Sequence, residues 1–277
     1  MVDLLAAPFV ACLILTGIHC YLGIHVVMRE VIFVDLALAQ IAALGAAAGT
    51  LLGFDPHSHG AYVFALAFTI AGAAVFSVGR FRDRRVPQEA VIGIVYAVSS
   101  AFAILLLSKI AIGREEIEHM LVGRLLFIGW PEVAGTAVIY AVVAVVHVLL
   151  RRKFFAISES PEAAWRGGLD VRFWDFVFYA TFGVVVTSSV QMAGVLLVFS
   201  FLVVPAVCAM MFCSRVAQRL IVGWAFGVLA STVGLLASAA WDLPTGASVV
   251  ATFGVVFAAC AGVYGLRELL RARSPAT

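Results

Sequence analysis

Nine stretches of this chain, near residues 7–27, 31–53, 61–79, 90–110, 131–150, 173–190, 194–212, 220–240 and 246–266, are apolar from end to end. Each approaches the roughly 20 residues that a helix needs to cross about 30 Å of hydrocarbon. Barrel strands would be shorter and would alternate apolar with polar residues, so the pattern selects helices. The 64% hydrophobic content, 12% charged content and mean hydropathy of +1.09 lie far outside the range of a water-soluble domain. The fold expected is therefore all-α: a polytopic transmembrane helical bundle of eight to nine spans, forming one membrane domain over residues 1–277. The count turns on "VTSSVQMAG", Thr187 to Gly194, where the apolar run is too long for one span and must break or re-enter.

Arginine and lysine placement orients the bundle. Arg80, Arg82, Arg84 and Arg85 share one connection, and Arg151, Arg152, Lys153, Arg166 and Arg172 another. Arg215 with Arg219, and Arg267, Arg271 and Arg273 of the tail, follow the same spacing of alternate connections. All belong on the cytoplasmic side. The alternate connections at 54–60, near Gln191 and at 241–246 lack basic residues and face outside. The segment 112–130 also falls outside by this count although it holds Arg114 and Arg124. With nine spans the amino terminus lies outside and the carboxyl terminus inside. Met1-Val2-Asp3 offers no basic region before the first run, so that run is expected to be retained rather than cleaved.

Several chemistries are excluded or disfavoured. No Gly-rich loop ends in Lys-Ser or Lys-Thr, so the chain is not its own P-loop ATPase and any ATP would be used by another subunit. No HExxH, paired acids or Ser/His set marks an enzyme. The five cysteines lie in or beside apolar runs without a CxxC pair, as small packing residues do. The net charge of +2 gives no reason to expect a nucleic-acid partner.

The stretch "VIFVDLALAQIAALGAAAG", Val31 to Gly49, carries Asp35 and Gln40 among small residues, with Gly45 and Gly49 as a GxxxG pair. Small residues let helices approach closely, so this helix is expected inside the bundle. Ionisable groups there are costly and are functional candidates. At 100° per residue, Asp35 and Gln40 point roughly 140° apart, so one helix cannot aim both at one ion. Two readings of Asp35 stand side by side: a pathway residue, or a local cap or ion-pair partner of a nearby arginine.

The segment "ISESPEAAWRGGLDVRFWD", Ile157 to Asp175, reads as a short cytoplasmic helix. Ser158 or Ser160 caps it, Pro161 sits in its first turn, it runs through Glu162, Trp165 and Arg166, and Gly167-Gly168 ends it. Tryptophan and arginine anchor protein interfaces, whereas the same helix could lie on lipid headgroups with Trp165 down. Elsewhere, Asp242 is expected to cap the last helix. Asp55, His57 and His59 make a weak cation signal, and His25, His119 and His147 read as isolated structural histidines.

Taken together, several segments resemble the membrane permease of bacterial ATP-binding-cassette importers for zinc, manganese or iron. The family pattern F-x-G-D-A-L-S-H-A-x-x-P-G lies without gaps on Phe33 to Gly45; "MAGVLLVFSFLVVPAVCA", Met192 to Ala209, "DLPTGASVV", Asp242 to Val250, and the 157–171 segment match in the same order. The resemblance implies a type II importer permease of the inner membrane, working as a homodimer with cytoplasmic ATPase subunits and a periplasmic metal-binding protein. It also implies a coupling helix at about 158–170, with Pro161, Glu162, Trp165, Arg166 and Gly168 at the ATPase contact. No cofactor is expected on this chain itself. The family's Asp is Leu36 here, its Ser is Ala39, its His is Gln40 and its Pro is Leu44, while Asp35 replaces its Gly and is turned by about 100° around the helix. Asp35 and Gln40 are thus the pathway candidates, with an amide in place of an imidazole that would suit zinc. The rival class is an ion-gradient-driven secondary carrier acting without an ATPase.

Overall fold

A computed structural model describes residues 2–56, 58–80, 86–109 and 125–273. Ten α-helices and one 3₁₀ turn, Leu125–Phe127, make up the described residues. In chain order they are α1 (Val2–Met28), α2 (Val34–Leu51), α3 (His59–Val78), α4 (Gln88–Leu107), α5 (Trp130–Glu159), α6 (Pro161–Arg166), α7 (Val171–Ala193), α8 (Val195–Phe212), α9 (Val216–Trp241) and α10 (Thr245–Arg273). Nine of them, all but α6, are long and apolar enough to cross a membrane.

Side-chain contacts fix the relative directions. Arg29 meets Asp175 and His19 meets Ser189, so α1 and α7 run antiparallel. Tyr21 packs on His147 and His25 on Phe155, which makes α1 and α5 parallel. Gly45 and Gly49 lie against Ala65 and Ala61, so α2 and α3 are antiparallel. Ser77 reaches Arg172 while Thr69 reaches Thr187, giving the same relation for α3 and α7. The Phe33 N–H donates to Glu89, which puts the starts of α2 and α4 together. Cys20 with Gly223 and Thr16 with Gly227 oppose α1 to α9, and Gly234 with Val249 opposes α9 to α10. Phe201 with Phe253 and Phe212 with Tyr264 make α8 parallel to α10. Going along the chain, each of the nine long helices therefore reverses the one before it.

The reversal between α7 and α8 takes place at one residue. Gly194 has φ +77° and ψ 158°, a conformation closed to residues with a Cβ. The apolar run is thus broken at Gly194, and it supplies two spans rather than a re-entrant one.

Local chemistry accounts for other boundaries. Ser58 caps α3 by accepting from Ala61 N–H (3.3 Å), and Asp170 caps α7 by accepting from Phe173 N–H (3.1 Å). Helix α5 departs from the sequence expectation: instead of ending near residue 150 it continues through Arg151-Arg152-Lys153 to Glu159. Those residues are good helix formers although they are not apolar, and nothing interrupts the backbone until Pro161 disfavours helical geometry at Ser160. Asp242 also departs from expectation. It ends α9 in the left-handed region (φ 51°), while α10 starts at Thr245, whose hydroxyl lies 2.9 Å from that of Ser238.

The small-residue face of α2 does what its composition implies. A Cβ on Gly45 would come within 2.6 Å of the Phe64 carbonyl oxygen and 2.9 Å of Ala65 Cα, so α3 lies directly on this position. With α4 and α7 also packed against it, α2 is enclosed in the bundle. The main core combines residues of α1, α2, α7 and α8 with Phe76 and Tyr140.

Candidate functional site

Two zones of polar residues emerge at the end of the bundle where α1 stops and α2 begins. The first is built on α2. Asp35, in the first turn of that helix, is 2% exposed, and its Oδ1 has no hydrogen-bond partner among the described residues. Among the described residues no arginine pairs with it, and Arg29 is bound to Asp175. Its charged neighbour is instead Glu89 in the first turn of α4, close enough for the two charges to interact. Glu89 Oε1 accepts from Phe33 N–H (3.0 Å), while Oε2 is buried without a partner among the described residues. Gln40 is half-exposed on another face of α2, so the structure does not bring it to Asp35.

These two carboxylates sit at the first turns of two helices, where backbone N–H dipoles favour negative charge. Burial disfavours it. Both free oxygens are acceptors open to a hydrogen-bond donor or a cation. Among the described residues no three His, Cys, Asp or Glu side chains group closely enough to hold a metal. Asp55 and His59 stay near the outer end of α3, His57 and His119 lie outside the described residues, and His25 and His147 are buried beside Tyr21 between α1 and α5.

The second zone is α6 and what stands behind it. Ser160 caps α6 by accepting from Ala163 N–H (3.2 Å), and Gly168 follows it with φ +81°. Ala164 packs between Ile157 of α5 and Val171 of α7, with Trp165, Leu169 and Trp174 around them. Trp165 is therefore half-buried against its own protein, not the free knob that its type and place in the sequence suggested. Arg166 and Gly168 are exposed, and Pro161 and Glu162 partly so. Lys153 lies over the Trp174 ring, 3.7 Å from its centroid.

Behind α6 lies a buried ionic cluster that the sequence reading missed. Asp175 of α7 receives Arg29 Nη1 on Oδ1 at 2.6 Å and faces Arg80 Nε with Oδ2 at 2.8 Å, the aspartate and Arg29 side chains being fully buried. Arg29 Nε donates to Ser158 Oγ (2.8 Å), Nη2 reaches Phe154 O (3.4 Å), and its guanidinium lies 3.9 Å from the Phe178 ring centroid. His25 Nδ1 lies 2.8 Å from Ser158 Oγ. Arg80 Nε also donates to Gln88 Oε1 (2.9 Å), and Gln88 Nε2 donates to Tyr179 Oη (3.0 Å) and Phe76 O (3.3 Å). Charge placement assigns Arg80 to a cytoplasmic connection but does not show that it folds inward. The signal that could have flagged the cluster is Asp175 itself, an acid at the head of an apolar run.

A bundle of nine alternating spans, with a short helix held off one end and carboxylates enclosed among its helices, is a multi-pass membrane transport protein. The chain belongs to the ABC 3 transport family, whose sequence profile matches residues 1–262. It is a permease subunit of the inner membrane. Similar proteins include the manganese transport system membrane protein MntC of Listeria monocytogenes, 24% identical over 85% of this chain and 82% of that protein. The chelated iron transport system membrane protein YfeD of Yersinia pestis is 28% identical, covering 86% and 78%. The high-affinity zinc uptake system membrane protein ZnuB of Haemophilus influenzae is 25% identical, covering 93% and 96%. Among solved structures, PsaBC from Streptococcus pneumoniae in complex with a Fab superposes with a TM-score of 0.75 at 20% identity, covering 93% of this chain and 90% of that one. An inward-facing metal-chelate-type ABC transporter gives 0.70 at 15% identity, covering 94% and 88%. Both share the fold.

Proposed function

We propose that this chain is the membrane permease of an importer for divalent metal ions, driven by a separate ATP-binding-cassette subunit that docks on α6. The observation that carries the reading is family membership over residues 1–262, together with relatives named for manganese, iron and zinc transport. The chain binds no cofactor of its own in this reading, and ATP is consumed by the partner. A second copy of the chain completes the passage, and a soluble metal-binding protein delivers cargo at the outer face. Pro161, Glu162, Trp165, Arg166 and Gly168 form the ATPase contact.

Asp35, with Glu89, is the point where a cation leaving the passage meets fixed negative charge; Gln40 lines a separate face of the same helix. Oxygen donors suit manganese or ferrous iron better than the imidazole-seeking zinc ion. The reading is tested by reconstituting the full chain with its ATPase in liposomes and following Mn²⁺ uptake. Uptake is expected only with ATP and the partner present, and Arg166→Glu is expected to abolish partner binding while the permease still elutes as a single species. Uptake by the chain alone down an ion gradient would establish the secondary carrier instead.

A further inference from the structure

The proposed docking helix is not free to move by itself. Ile157, Ala164 and Val171 clamp it between the end of α5 and the start of α7, so these three pieces form one body. Two buried polar residues of that body, Ser158 and Asp175, bond it to other helices. Ser158 Oγ meets Arg29 Nε and His25 Nδ1, both at 2.8 Å, and Asp175 Oδ1 meets Arg29 Nη1 at 2.6 Å. The hydroxyl also donates to Phe154 O at 2.8 Å, so it serves as acceptor toward Arg29 and its pairing with His25 makes Nδ1 the protonated nitrogen. On this side the body grips the end of α1 through several charge-assisted bonds.

The grip on α3 and α4 is different in kind. Arg80 Nε donates to Gln88 Oε1 (2.9 Å) and stands 2.8 Å from Asp175 Oδ2 as an ion pair without a hydrogen bond to it. The other ties from α7 to these helices are neutral: Ser77 Oγ donates to Arg172 O at 2.6 Å, Gln88 Nε2 donates to Tyr179 Oη at 3.0 Å, and the Thr69 and Thr187 hydroxyls lie 3.2 Å apart. Gln88 remains held on its own side by Phe76 O.

We propose that Ser158 and Asp175 are positioning residues for coupled transport: they make the end of α1 move with the docking helix. Displacing α6 then carries α5, α7 and the end of α1 together. The inference rests on docking at α6, which Arg166→Glu tests separately.

Its own test uses the full permease–ATPase complex in liposomes, with Mn²⁺ as the probe, and measures uptake and ATP hydrolysis in the same preparation. Ser158→Ala removes the shared hydroxyl without removing a charge. It is expected to leave ATPase co-elution intact while lowering Mn²⁺ taken up per ATP hydrolysed by at least threefold. Asp175→Asn weakens both arginine contacts and is expected to lower the ratio further; if it does not assemble, Ser158→Ala decides alone. A merely structural role lowers both activities in proportion, so an unchanged ratio in assembled Ser158→Ala complex overturns the proposal. Absence of ATP-driven uptake in the unmutated complex would instead overturn the functional reading, and the two failures are distinguishable on that basis.

Discussion

A buried carboxylate without a hydrogen-bond donor is unfavourable unless something else compensates it. Asp35 and Glu89 present two such oxygens at neighbouring helix starts, without a partner among the described residues, and the proposed cation passage gives their charge a use. Asp35→Asn keeps the volume and the polar contacts but removes the charge. The expected result is Mn²⁺ uptake reduced by about tenfold or more, equivalent to about 1.4 kcal/mol of lost stabilisation along the path, with unaltered complex assembly. Uptake kinetics equal to those of the unmutated complex would return Asp35 to a structural role. The sequence made this residue visible because an acid inside an apolar run is conspicuous. It did not reveal Glu89, since residues 54 positions apart were brought together only by the parallel packing of α2 and α4.

At the scale of single elements, the α7–α8 reversal depends on one backbone conformation. Any side chain at Gly194 meets the steric limit of positive φ with extended ψ, which costs on the order of 1–3 kcal/mol. Gly194→Ala is therefore expected to lower the thermal midpoint of the detergent-solubilised protein by several degrees. Gly265→Ala is the control, because that glycine has open space around it and no positive φ; equal midpoints for the two variants would refute the argument. Element positions were largely legible, since hydrophobic runs and small-residue stripes follow directly from the lipid environment. Helix α5 was misjudged because hydropathy marks where lipid ends, whereas only Pro161 marks where the helix ends. The Arg29–Asp175–Arg80 cluster was illegible for a related reason. Charge placement sorts arginines to a side of the membrane but gives no information on which of them fold back beneath an overhanging helix, 146 residues away along the chain.

For the whole molecule, strict alternation of nine helices places the connections after α2, α4, α7 and α9 at one end. The arginine-bearing connections before α4 and α9, and the docking segment, lie at the other. This arrangement agrees with the charge rule, which assigns the second end to the cytoplasm. It can be checked with the protein's own thiols. Cys12, Cys20, Cys208 and Cys260 are buried, whereas Cys213, just after α8, is partly exposed. A membrane-impermeant maleimide is expected to label Cys213 in inside-out vesicles and not in right-side-out ones. In a Cys213→Ala background, Leu52→Cys, at an exposed position after α2, is expected to show the reverse accessibility. Labelling of both from one side would require an even number of spans between residues 52 and 213 in place of the five helices α3, α4, α5, α7 and α8, and would remove the α7–α8 reversal at Gly194 on which the direction of every later helix depends.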